Sequence, residues 1–132
     1  MKIALNNSKG FSLVELLAVI TIVAILAAIA YPNYLKYVIN SNRSDAYSTL
    51  INVQLDLEEY YNENNQYPTS LTGFTTTSPK GFYTLSISTS GTPPNAYTLT
   101  ATAGGSTIQN EDTGCTAISI TNAGARTPAD CW

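Results

Sequence analysis

The sequence predicts an α+β fold, a long N-terminal α-helix packed on an antiparallel β-sheet head, and three observations carry that expectation. An apolar run from Phe11 to Ala30 passes directly into a pattern of apolar residues at three- and four-residue steps. From Gln66 onward the composition turns to Thr, Ser, Gly and Pro, and the segments that follow alternate apolar with hydroxyl-bearing residues. The expected divisions are a short segment 1–10, a helix over 11–64 with an apolar half (11–31) and an amphipathic half (32–64), and a head over 65–132. One anchor helix and one small domain is what this length can support; two independent cores is more than it can.

Between Phe11 and Ala30 only Ser12, Glu15 and Thr21 interrupt the apolar residues. A helix of about 20 such residues, rising ~1.5 Å per residue, crosses a hydrocarbon core of ~30 Å. A carboxylate in that span costs roughly 2.5–3.5 kcal/mol on insertion scales, so Glu15 calls either for a cation or for a place near the helix end from which it can snorkel. Lys2 and Lys9 precede the run and Lys36 and Arg43 follow it, a weak bias toward a cytoplasmic N-terminus. Tyr31, Tyr34 and Tyr37 fall just beyond the run, where interfacial aromatics belong.

Pro32 removes one backbone donor and is expected to kink the helix without ending it. Leu35, Val38, Ile39, Ala46, Leu50, Val53, Leu57 and Tyr60 or Tyr61 then form an apolar stripe. Asn42, Arg43, Ser48, Asn52, Asp56 and Glu59 are assigned to the opposite, polar face. The helix should stop between Asn62 and Asn65, with Pro68 beyond. Strands are expected where Tyr83, Leu85 and Ile87, then Tyr97, Leu99 and Ala101, then Ile118 and Ile120 alternate with Thr and Ser. Turn residues at 90–95 and 103–106 favour an antiparallel meander laid on the Leu50–Leu57 stripe.

Lys9 and Gly10 followed by Phe11-Ser12-Leu13-Val14-Glu15-Leu16-Leu17 resembles the cleavage motif of the type IV pilins, the subunits of bacterial surface filaments. The stretch Asn64-Asn65-Gln66-Tyr67-Pro68 and the ending from Gly124 to Trp132 are similar to the PilE-type pilins, often minor components of their filament. The resemblance implies that residues 1–10 are a leader and that a prepilin peptidase cuts between Gly10 and Phe11. It also implies that Phe11 is then N-methylated and that Glu15 pairs with the N-terminal amine of a neighbouring subunit. The implied partners are that peptidase, other pilin subunits, an inner-membrane assembly platform and the membrane itself. The implied course runs from a single-pass inner-membrane protein, N-terminus cytoplasmic and head periplasmic, to an extracellular pilus serving adhesion, twitching motility or DNA uptake. In one place the chain departs from the family: Ala24 stands where the family commonly has a glycine. Alanine favours helix by ~1 kcal/mol over glycine, so less unwinding is expected between Ala24 and Pro32.

The same resemblance implies that Cys115 and Cys131, the only cysteines, are joined in a disulfide that bounds the C-terminal loop 115–131. An exported head in an oxidising compartment is consistent with that pairing. Two cysteines without any histidine do not make a zinc site of the usual kind, and their spacing is not that of a redox motif.

Net charge is −3, and beyond residue 10 only Lys36, Arg43, Lys80 and Arg126 stand against nine acids. Such a surface repels phosphate, so a nucleic-acid partner is not expected unless a local patch overrides the total. No catalytic residue, cofactor or metal is expected. The chain has no histidine and no Gly-rich phosphate loop, and Glu58 and Glu59 adjoin on a helix, where they diverge. Glu111 and Asp112 alone are too few ligands for calcium. Two other classes remain open: a pseudopilin of type II secretion, and a soluble secreted domain cleaved after Ala30, where Ala28-Ile29-Ala30 resembles a signal-peptide site. Glu15, the length of the run and Pro32 argue against the second.

Overall fold

The computed structural model describes residues 10–132; residues 1–9, with Lys2 and Lys9, lie outside the described part, and with them most of the segment 1–10 expected to be a leader. Helix α1 runs Leu13–Asn64, followed by strands β1 (Tyr83–Ser90), β2 (Ala96–Ala103), β3 (Ala117–Thr121) and β4 (Arg126–Thr127). One-turn 3-10 segments lie at Ile108–Glu111 and Ala129–Cys131. The chain divides into two compact units, one ending at Lys36 and one spanning Tyr37–Trp132.

In the first unit the helix starts two residues later than the apolar run. Ser12 stays outside it and its Oγ accepts the N–H of Val14 at 3.3 Å, satisfying one of the orphan donors of the first turn. Thr21, a polar group deep in the run, donates its hydroxyl to the Leu17 carbonyl at 2.8 Å. Every residue from Phe11 to Tyr34 is exposed, and by length and composition the segment can cross a membrane. The helix is unbroken through Ala24 and Pro32. Proline there leaves the carbonyl of Ala28 without its usual helical donor, and the helix nevertheless continues.

In the second unit α1 ends at Asn64. Asn65 takes a left-handed backbone (φ 55°) and donates its N–H to the Tyr61 carbonyl at 2.8 Å, a C-terminal cap that asparagine tolerates better than most side chains. The strands form one antiparallel sheet in the order β1-β2-β3-β4, the expected meander with a short fourth strand added. The sequence pattern missed β4 because two residues ahead of Pro128 carry no alternation to read. Between β1 and β2, Gly91 turns with φ 92°, and a Cβ there would collide with the Asn95 side chain.

The core is the expected one. Ala46, Leu50, Val53 and Leu57 of α1 are fully buried against Tyr83, Leu85, Tyr97, Leu99, Ala101, Ile118 and Ile120. The opposite sheet face carries Thr84, Ser86, Ser88, Thr98, Thr100, Thr102, Ser119 and Thr121 and no charged residue. On it the hydroxyls of Thr100 and Ser119 meet at 3.0 Å across the strands.

Cys115 and Cys131 are bonded, with Cα atoms 5.6 Å apart. Both are buried, and the bridge ties the entry to β3 to the last turn of the chain. Closing a loop of this length contributes about 3 kcal/mol in the chain-entropy model, so the Cys115→Ser/Cys131→Ser double variant is expected to lose about that much unfolding free energy in denaturant titration.

Candidate functional site

The residues singled out at the N-terminus are presented openly. Gly10 has nothing within 4 Å of the place a Cβ would occupy, Phe11 is 83% exposed, and Glu15 lies in the first turn of α1, also exposed. A carboxylate in the first turn is favoured by the helix dipole, worth ~0.3–1 kcal/mol. That accounts for only part of the cost of placing an acid in an apolar run, and among the described residues no cation pairs with Glu15.

Polar chemistry in the second unit gathers in three clusters, and the first corrects the assignment of Asn42 and Arg43 to a solvent face. Asn42 is buried and donates from Nδ2 to Gln109 Oε1 at 3.1 Å. Gln109, fully buried, donates from Nε2 to the Ile39 carbonyl at 3.1 Å and to the Tyr83 hydroxyl at 2.8 Å. Beside them Arg43 grips Asp112 with two bonds, Nε to Oδ2 at 2.8 Å and Nη2 to Oδ1 at 2.7 Å. Hydrogen bonding to Asp112 raises the Arg43 guanidinium still further above its usual value. Asp112 is 6% exposed and engaged by that fork, which leaves Glu111 as the one open carboxylate of the pair.

Spacing held the signal for Asn42, which residue type overrode. Positions 39, 42, 46, 50, 53 and 57 continue one helical stripe at three- and four-residue steps, and the stripe is buried throughout. Nothing in the polar run around Gln109 marked it as buried.

The second cluster surrounds Glu58, whose carboxylate accepts the Tyr67 hydroxyl at 3.1 Å and the Tyr97 hydroxyl at 3.3 Å. Burial first, and the Glu58 hydrogen bond second, push the Tyr67 phenol up to about 12; burial and the Glu58 charge raise Tyr97 as well. The two rings meet edge to face at 4.7 Å. The third cluster gathers at the disulfide. Trp132 stacks on Tyr47 at 5.1 Å, Arg126 lies 4.8 Å over the indole, and the Tyr47 hydroxyl donates to the Cys131 carbonyl. Trp132 thus packs on a side chain of the helix. Among the described residues no group of three or more ligating side chains could hold a metal.

A long apolar-to-amphipathic helix, a four-strand meander on its amphipathic part and a disulfide-closed C-terminal loop together define a type IV pilin. In agreement, the high-resolution structure of a type IV pilin from Shewanella oneidensis matches with a TM-score of 0.55 at 24% identity, over 71% of this chain and 97% of that one, a likeness of fold. The family model described as type IV minor pilin ComP, DNA uptake sequence receptor matches residues 32–119, and the prokaryotic N-terminal methylation motif matches residues 5–31. The chain belongs to the ComP family of type IV minor pilins, proteins that are structural subunits and not enzymes. A fimbrial protein of Neisseria meningitidis serogroup A is 34% identical over 106 residues, 78% of this chain and 59% of the relative. The fimbrial protein EcpC of Eikenella corrodens is 43% identical over 60 residues, 46% of this chain and 39% of the relative. The chain thus spans about half the length of these curated relatives. The family's description names DNA, which the total charge had argued against.

Two outcomes follow from the clusters. Asp112→Ala strands a partly buried guanidinium and is expected to cost about 2 kcal/mol of stability, between the values for exposed and buried pairs, while Arg43→Met with Asp112→Leu recovers most of it. Tyr67 has a folded-state value above the ordinary 10.0, so its contribution is whole below pH 10 and is lost as pH rises toward about 12. Thermal unfolding followed across that window should show the decline, and Tyr67→Phe should make it shallower.

Proposed function

We propose that this chain is made as a prepilin, is cut between Gly10 and Phe11 by the prepilin peptidase, and receives a methyl group on the new Phe11 amine. It then waits in the inner membrane, head on the periplasmic side, until the assembly platform moves it into a surface filament among other pilin subunits. The family match over residues 32–119, joined to the methylation motif over 5–31, carries the proposal. The exposed apolar surface from Phe11 to Tyr34 supports it, because that surface needs lipid before assembly and neighbouring helices after it. Glu15 supplies the carboxylate for a neighbour's Phe11 amine, a pairing that offsets the cost of an acid in an apolar run. Glu15→Val is expected to insert in the membrane yet stay out of sheared filaments, and Gly10→Ser to accumulate as uncut precursor. Normal filament incorporation by either variant contradicts the assignment.

Within the filament the role we assign is that of a minor subunit in DNA uptake, with DNA as a bound partner; the ComP family description supports this. Charge then restricts how DNA is held. Arg43 is engaged by Asp112, which leaves Lys36, Lys80 and Arg126 as cations without an ion-pair partner among the described residues. With about three phosphates neutralised at most, log K should fall with log salt at a slope no steeper than about −3. Fluorescence anisotropy of the processed chain, from Phe11 on, in detergent with labelled duplex measures it. Lys80→Ala and Arg126→Ala should each flatten the slope by about 1. Absence of binding at low salt removes the DNA role and leaves filament assembly standing.

A further inference from the structure

Strand β1 is an edge of the sheet, and the chain covers only half of it. Leu85 donates its N–H to the Thr76 carbonyl at 2.8 Å, and Tyr83 accepts the Ser78 N–H at 2.9 Å, so the odd-numbered residues of β1 direct their backbone groups away from β2. By the same alternation the N–H and C=O of Ile87 and Thr89, with the C=O of Leu85, point outward. Among the described residues none of these five groups has a partner. Beside this bare stretch lies an open concavity of about 420 Å³, walled by Thr69, Ser70 and Thr72 and floored by Leu71 and Ile87. Natural edge strands are ordinarily protected by lysine, proline, a bulge or a covering segment; β1 has the covering segment only at Tyr83–Leu85.

We infer that the edge of β1 from Leu85 to Thr89 is a docking site for an extended, uncharged peptide segment of a partner protein, which adds as a further strand. Donors and acceptors repeating at two-residue steps, ~6.6–6.8 Å apart, are met by an extended backbone and by little else. The chain's own Thr76–Ser78 already pairs this way on the first half of the edge, and the incoming strand continues the same line. Its alternate side chains lie over Leu71 and Ile87 on one face and beside Ser86 and Ser88 on the other, so apolar residues must alternate with small hydroxyl-bearing ones. No charged residue lines the slot, which selects against acidic and basic segments alike. This site goes beyond the DNA role and does not depend on it.

The probe is a blocked eight-residue peptide of alternating Val and Thr, added to the full chain in detergent micelles while amide exchange is followed by NMR. The amides of Ile87 and Thr89 should exchange quickly in the free chain, while those of Ser86 and Ser88 are protected, and the peptide should slow Ile87 and Thr89 by tenfold or more. Thr89→Pro removes one outward donor without touching the bonds to β2 and should abolish the effect. The same peptide N-methylated at alternate amides should have no effect, a control that leaves the protein unaltered. Exchange at Ile87 and Thr89 that the peptide leaves unchanged, or slowing that survives N-methylation, overturns the inference.

Discussion

One face of one helix, Ala46, Leu50, Val53 and Leu57, is the floor on which the head is laid. All four are fully buried, and each apolar row of the meander ends on them, Tyr83 and Leu85 from β1, Leu99 and Ala101 from β2, Ile118 and Ile120 from β3. The apolar face of a sheet must be buried against another element, and this helix face is what buries it, so helix and sheet share one core. The same helix must meet a second requirement, because its N-terminal part is apolar and exposed all round. Two solvents are therefore written into one α-helix, and burial within the chain begins only at Ile39.

At that beginning the structure places its densest polar contacts. Ile39, Asn42 and Arg43 on α1 are tied to Gln109 and Asp112 on the loop between β2 and β3. Apolar packing alone is tolerant of sliding, whereas a satisfied network of directed bonds admits one register. At the other end of the buried face Glu58 takes the hydroxyls of Tyr67 and Tyr97, and near the C-terminus the disulfide, Trp132 and Tyr47 close the last turn. The apolar stripe is thus pinned along its length by groups whose geometry is specific.

How much of this could be read from the chain alone depended on whether a signal was periodic. The helix, the three longer strands and their order followed from three-, four- and two-residue steps, since burial on one face imposes those steps on the sequence. The N-terminal motif was legible as a resemblance carried by residues 9–17, whereas the cost of an acid in an apolar run left Glu15 open between a cation partner and a place near the helix end. What escaped was set by partners distant in sequence. Gln109 is buried by residues 67 to 70 positions away, and nothing near it announces the fact. Asn42 sat at the right step for the stripe and was placed outside it for being polar, although a buried amide with its bonds satisfied costs little. Net charge sums over a surface and says nothing of what any one place on it can hold, so the DNA that the family's description names had no signal in the composition.

The outer face of the sheet, with its rows of threonine and serine and no charge, has a consequence for the environment the head can tolerate. Hydroxyl groups neither ionise in any natural water nor gather a counterion cloud. Brackish, fresh or acidified medium therefore meets the same hydrated surface, and an appendage displaying it keeps its wetting and its spacing from neighbours while more strongly charged surfaces around it change theirs.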